Sequence, residues 1–169
     1  MASSTPIAGV VPSEYAEATI ATIWPSNAAT GLGRLLGRLY SIRAGVWIFT
    51  VGNIIALLSI PVALGLFFYL LAPGVARRYR LTNRRVLIES GVTLKPLSWV
   101  DLDEFDSIVI EVLPGQAWYP AGDLIFYKGQ IETFRLQGVP RPEGFRHTCL
   151  EAQRAHVAVK RIREMAHAS

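Results

Sequence analysis

The stretch AGVWIFTVGNIIALLSIPVALGLFFYLLAPGVA, residues 44–76, decides how the rest of the chain is read. It runs for 33 residues without Asp, Glu, Lys, Arg or His, and Asn53 is its single amide. A bilayer core about 30 Å thick takes roughly 20 apolar residues as a helix, and soluble domains rarely carry longer apolar runs. The stretch therefore reads as membrane-embedded. One continuous helix would be about 50 Å long, well over the core thickness. Pro61 offers a break, because it lacks an amide donor and its ring clashes with the preceding turn. Breaking there gives residues 44–60 and 61–76, two segments at the short end of the spanning range.

Charge at the flanks bears on topology. Arg34, Arg38 and Arg43 precede the stretch; Arg77, Arg78, Arg80, Arg84 and Arg85 follow it. Basic residues on short flanks stay cytoplasmic, so a helical hairpin or re-entrant pair obeys that rule at both ends. One kinked transmembrane helix is the alternative, since the turn Leu58-Ser59-Ile60-Pro61 is scarcely polar.

Composition predicts one small domain plus an anchor: 169 residues, 51% hydrophobic and 18% charged. The net charge of +4 is accounted for by membrane-flanking arginine. No helix joins a clean basic stripe to interleaved aromatics, so nucleic acid is not an expected partner. Cys149 is the only cysteine, which excludes an internal disulfide and suits a reducing compartment.

Working outward on the N-terminal side, residues 30–43 (TGLGRLLGRLYSIR) are helical by pattern. Leu32, Leu35, Leu36 and Leu39 recur at helical spacing, with Arg34 and Arg38 opposite. A basic amphipathic helix beside a membrane segment is expected in the headgroup layer. Gly33 and Gly37 form a G-x-x-x-G pair, which raises homo-oligomerisation by close helix contact as an option. Residues 17–26 (EATIATIWPS) suggest a short strand ended by Pro25, with Ile20, Thr22 and Trp24 on one face and Thr19, Ala21 and Ile23 on the other. Residues 1–13 lack the basic start and apolar core of a signal peptide and read as a mobile tail.

On the C-terminal side the pattern changes to short strands: residues 78–82, 85–90, 97–100, 107–113, 123–128 and 131–136. Asn83-Arg84 and Gly129-Gln130 supply turns. Strands at this spacing predict a small antiparallel barrel or sandwich. Pro140 and Pro142 stop the sheet, and a helix starts at Glu143 and runs towards Ala166. Phe145, Cys149, Ala152, His156 and Val159 fall near one of its faces, leaving Arg146, Arg154, Lys160, Arg161 and Arg163 for solvent.

The order of elements carries a resemblance. RRYRLTNRRVLIESGV, residues 77–92, resembles the opening strand-turn-strand of bacterial pleckstrin-homology-like domains. LDEFDSIVIEV and AGDLIFYKGQIETFRLQGVPRPE are similar to later strands of that family and to its Pro-flanked helix start. The likeness covers about residues 77–154; Phe105 replaces a usual isoleucine, and Trp118-Tyr119-Pro120 replaces a glycine-rich or arginine turn. The resemblance implies a membrane-anchored α+β protein: the membrane segment, then a small pleckstrin-homology-like antiparallel barrel with a C-terminal helix. It also implies that a strand such as residues 17–26, placed before a membrane hairpin, joins the barrel. The division follows: residues 1–28 tail and first strand, 29–76 interfacial helix and membrane segment, 77–169 the domain. The implied role is a non-catalytic scaffold or lipid/protein-interaction module at the cytoplasmic face of a bacterial inner membrane. The alternative is an accessory subunit of a membrane enzyme or transport complex, with the chemistry in a protein partner.

Catalytic and metal chemistry find little footing. His147, His156 and His167 are spaced by nine and eleven residues, so no two share a helical turn as a zinc pair requires. Nothing beside Cys149 would lower its pKa. Asp101, Asp103, Glu104 and Asp106 could bind a divalent cation but read better as a solvated strand-to-turn surface. No phosphate-cradling glycine loop follows a strand. The expectation is no catalytic residue, no metal and no cofactor. Binding rests on two features. Arg77, Arg78, Arg80, Arg84 and Arg85, with Arg34 and Arg38, are candidates for anionic headgroups at the bilayer surface. Trp118 and Tyr119 are candidates for a partner-contact loop.

Overall fold

The computed structural model describes residues 17–42, 44–46, 49–72 and 75–167. The expected tail, residues 1–13, and Arg43 lie outside the described residues, as do the side chains of Arg163 and His167.

The fold is α+β. Strands β4 (Arg77–Thr82) and β5 (Arg85–Ser90) form an antiparallel hairpin whose turn is closed by Thr82, its Oγ1 accepting from the Arg84 and Arg85 amides at 3.3 and 3.0 Å. Strand β6 (Pro96–Asp101) extends this sheet on one side, and β1 (Thr19–Ile23) pairs antiparallel with β4 on the other. The order is β1-β4-β5-β6. The expected first strand therefore belongs to the sheet, with Ala21 and Ile23 against the core and Ile20 exposed.

A second antiparallel sheet holds β7 (Ser107–Glu111), β8 (Ala121–Lys128) and β9 (Ile131–Pro140) in that order. Helix α4 (Pro142–His167) packs Phe145, Cys149 and Ala152 into the core formed with both sheets. Phe126 lies at its centre, edge-on to Phe105 at 4.9 Å and to Phe134 at 5.7 Å. Burying four such aromatic side chains, Phe145 included, together with Leu81, Leu102, Leu124 and Leu136, supplies the apolar stabilisation of this core.

Two expectations are corrected. The sheets do not close into a barrel: the connection from β6 to β7 turns inward, burying Leu102 and Phe105 instead of continuing a ladder. The apolar stretch is also not two near-spanning helices. Residues Gly45–Val46 (β2) and Phe49–Thr50 (β3) form a short antiparallel pair, followed by helices α2 (Val51–Leu58) and α3 (Ile60–Leu71). Thr50 starts α2 by accepting from the Asn53 amide at 3.3 Å. The break falls at Ser59, so Pro61 sits in the first turn of α3, where its missing N–H costs nothing. Among the described residues no single helix is long and apolar enough to cross a membrane; α2 and α3 together form an apolar pair bent by 58°. Their lengths are only about 12 and 18 Å, and that bend is far from the reversal a spanning hairpin needs.

Helix α1 (Gly31–Tyr40) is capped by Thr30, whose Oγ1 accepts from the Gly33 amide at 3.0 Å. The face it buries is Gly33, Leu36, Gly37 and Tyr40, not the leucine stripe; Leu32 and Leu35 are exposed. The glycines explain the shift. A Cβ at Gly33 would stand 1.9 Å from the Asn27 carbonyl oxygen, and one at Gly37 would stand 2.1 Å from that of Gly115. Both glycines of the G-x-x-x-G pair are thus occupied by contacts within the chain.

Candidate functional site

The site is the end of the molecule where α3 runs into the first sheet. Ala76 ends the apolar stretch, and its carbonyl accepts from the Gly91 amide at 2.8 Å, which brings the β5–β6 turn alongside. That turn displays Val92 and Leu94 to solvent, Leu94 in the left-handed region at φ 56°. Such a backbone costs a branched residue about 1–2 kcal/mol, so the turn holds the side chain outward at some expense. Trp24 closes the neighbourhood; a Cβ at Gly91 would meet its ring at 2.7 Å. Exposed Leu57, Leu58, Val62, Leu64 and Phe68 continue the apolar surface along α2 and α3.

The arginines do not form one edge. Strand alternation sends Arg78 and Arg80 to the face away from Tyr79 and Leu81, where both pair with Glu89 at 2.7 and 2.8 Å. Glu89 is 1% exposed, and two half-buried cations compensate this carboxylate. Arg84 and Arg85 lie at the opposite end of the hairpin, about 20 Å of strand from Arg77. Arg85 holds Glu17 at 3.0 Å and stands 5.9 Å from the Trp99 ring centroid. Arg77 alone keeps its place beside the end of α3, on the face it shares with Tyr79. In α1, Arg38 donates from Nε to the Pro114 carbonyl at 3.2 Å, and the Arg34 carbonyl lies against Gly115.

Trp118 and Tyr119 belong to the loop between β7 and β8, which docks on α1. Trp118 stacks edge-on to Tyr40 at 4.7 Å and to Tyr119 at 4.8 Å, and burial raises the Tyr119 pKa. Tyr40 in turn reaches the helix break, its hydroxyl 2.5 Å from Ser59 Oγ. The aromatic loop thereby connects the sheets to the bend of the apolar pair, while Trp118 stays 47% exposed. Sequence reasoning missed the residues that hold this loop. Asp123, 1% exposed, accepts at Oδ1 from Gln116 Nε2 (2.6 Å) and the Gly138 amide (2.9 Å), and Arg135 stands 3.6 Å from Oδ2. A lone Asp and Gln seven residues apart give no periodic signal; only the fold makes them partners.

The candidate chemical groups are scattered. Cys149 is fully buried, and burial pushes its thiol up to about 12, the reverse of what a nucleophile needs. His147 pairs with Glu151 on the surface at 3.3 Å, and His156 Nδ1 lies 3.1 Å from the Asn83 carbonyl. Asp103 binds Lys160 at 2.7 Å, which holds its carboxyl below the usual range, while Asp106 accepts from the Gly129 amide. Among the described residues no group of three or more His, Cys, Asp or Glu could hold a metal ion. A groove of about 690 Å³ between α4 and the β4–β5 turn carries mixed charges, with Arg85–Glu17 and Asp103–Lys160 already paired at its rim. No family model, curated protein or solved structure matches the chain.

Proposed function

We propose that this chain is a non-catalytic, membrane-surface module of the pleckstrin-homology-like kind, serving as a scaffold or lipid/protein-interaction domain at the cytoplasmic face of a bacterial inner membrane. One observation carries the reading: the apolar pair α2–α3 is largely exposed, yet the strands before and after it, β1 and β4, are hydrogen-bonded in one sheet. Paired strands lie on one side of any bilayer, so the chain enters and leaves the membrane on the same side. Given the lengths and bend of the two helices, they act as a shallow re-entrant wedge in one leaflet, and Leu32, Leu35, Val92 and Leu94 add interfacial contacts. The four-stranded and three-stranded antiparallel sheets with a C-terminal helix support the family resemblance.

A second reading, an accessory subunit docking a partner, is favoured by strand β6. It is a sheet edge with Leu97 and Trp99 both more than half exposed, a template for added strand or side-chain contact. Alkaline carbonate washing of membranes and paired reporters at residue 28 and at the C-terminus test the first reading. The chain is expected to resist extraction with both reporters cytoplasmic. Release by carbonate, or reporters on opposite sides, refutes the re-entrant anchor. A stoichiometric partner lost on Trp99→Ser would move the weight to the second reading.

A further inference from the structure

Helix α3 leaves a groove of about 620 Å³ between its last turns and the segment that follows β1. One wall is apolar, with Phe67 and Leu71 from the helix facing Trp24. The other carries Tyr79, Gln137 and Arg77. The Tyr79 hydroxyl donates to the Gln137 carbonyl at 2.8 Å, so these two groups satisfy each other and ask nothing of a ligand. Arg77 is different. Its neighbours Arg78 and Arg80 share Glu89, and Arg85 holds Glu17, but no carboxylate among the described residues forms an ion pair with Arg77. A cation with no carboxylate partner among the described residues therefore stands at the mouth of an apolar slot, where the membrane-facing helix meets the sheet.

We infer that this groove takes one anionic phospholipid from the surrounding leaflet, its phosphate at Arg77 and the start of an acyl chain along Phe67 and Leu71. The inference rests on the membrane-surface reading above. The dimensions suit the outer part of a lipid: Phe67 and Leu71 are separated by about 6 Å along the helix, the depth of a glycerol and its first methylenes. A guanidinium presents forked donors that match phosphate oxygens, and it keeps its charge at any physiological pH. A free phosphate would leave the apolar wall uncovered, and a zwitterionic lipid would bring a second cation towards Arg77.

The test uses the full chain in mild detergent, supplied with phosphatidylglycerol or phosphatidylcholine, with bound lipid counted by native mass spectrometry. Wild type is expected to retain phosphatidylglycerol over phosphatidylcholine by about fivefold, the worth of one arginine at an anionic surface. Arg77→Gln should abolish the preference, Arg77→Lys should keep part of it, and Arg84→Gln, at the far end of the hairpin, should leave it intact. Millimolar inorganic phosphate should not displace the lipid. Equal retention of the two lipids, a preference that survives Arg77→Gln, or displacement by free phosphate overturns the inference. If Arg77→Gln unfolds, the wild-type lipid comparison and Arg77→Lys still decide. Membrane residence without lipid preference sinks this site alone; a chain that is monodisperse without detergent sinks the membrane reading and the site together.

Discussion

Helix α3 (IPVALGLFFYLL) and strand β8 (AGDLIFYK) both carry runs of large apolar residues, yet the fold treats them oppositely. Residues 121–126 of β8 are all buried, and Phe126 touches aromatic rings on two sides. In α3 only Leu66 is buried, while Phe68 is 66% exposed. The apolar transfer term scales with area removed from water, so the apolar side chains of β8 stabilise the fold while most of those of α3 gain little from the protein's own packing. One region is covered by the protein; the other stays largely at its surface.

The sharpest way to break this contrast is a pair of truncations. Phe126→Ala should destabilise the folded chain by about 3–5 kcal/mol, the range for aromatic-to-alanine changes in a packed core. Phe68→Ala should change it by less than about 0.5 kcal/mol in detergent, as for other exposed positions. Chemical denaturation in mild detergent measures both, and similar losses would show that α3 packs into the protein's own core.

The second test concerns charge. Glu89→Ala leaves Arg78 and Arg80 half-buried around an empty acceptor, at a cost of about 2–4 kcal/mol. The exposed Asp103–Lys160 pair is the counterpart, with side chains 40% and 53% exposed. Asp103→Asn should leave the denaturation midpoint where it was, because solvent already screens that pair. A midpoint that moves equally in both variants would mean that Glu89 is not compensated as its geometry indicates.

Alkaline titration probes the sheet side further. Burial raises Tyr79 from the usual 10.0 to about 12 and Cys149 from 9.0 to about 12. For both groups the unfolded chain ionises first. Their contribution is whole below about pH 9, and it is lost as pH rises towards 12. The Tyr79 share amounts to roughly 2–3 kcal/mol at about 1.4 kcal/mol per pH unit. Tyr79→Phe should flatten the alkaline limb above pH 10 while losing about 1 kcal/mol at neutral pH with its hydrogen bond. An unchanged alkaline limb would contradict the burial of that hydroxyl.

The smallest effect is at the junction of the two regions. Tyr40→Phe removes the bond to Ser59 and should cost about 1 kcal/mol, expressed locally as faster hydrogen exchange in the first turn of α3. Exchange that stays at the wild-type rate would mean that Ser59 is held through its own bond to the Ala56 carbonyl.

Legibility in the sequence followed the range of the forces involved. The hairpins at Asn83-Arg84 and Gly129-Gln130, the C-terminal helix and the two faces of β1 were readable, because turn residues and period-two or helical spacing act within a few positions. The buried face of α1 was not. Its leucines predict a stripe, but the glycines at 33 and 37 let backbone approach Asn27 and Gly115, and no local rule names those partners. The arginine cluster misled for a related reason: nearness in sequence becomes about 20 Å along an extended strand, with alternate side chains on opposite faces.

By itself, the sequence determined that 33 consecutive residues carry no charged side chain, where most strands and the last helix would fall, and that Cys149 is the sole thiol. Those are properties of composition and short-range periodicity. Only the tertiary structure decided that β1 and β4 join across the apolar pair, that the pair bends at Ser59, and that Asp123, Gln116 and Gly138 tie the aromatic loop in place. It also singled out Arg77 among its neighbours. The physical reason is that these outcomes depend on which distant groups satisfy one another's hydrogen bonds and charges, and that pairing exists only once the two sheets have packed.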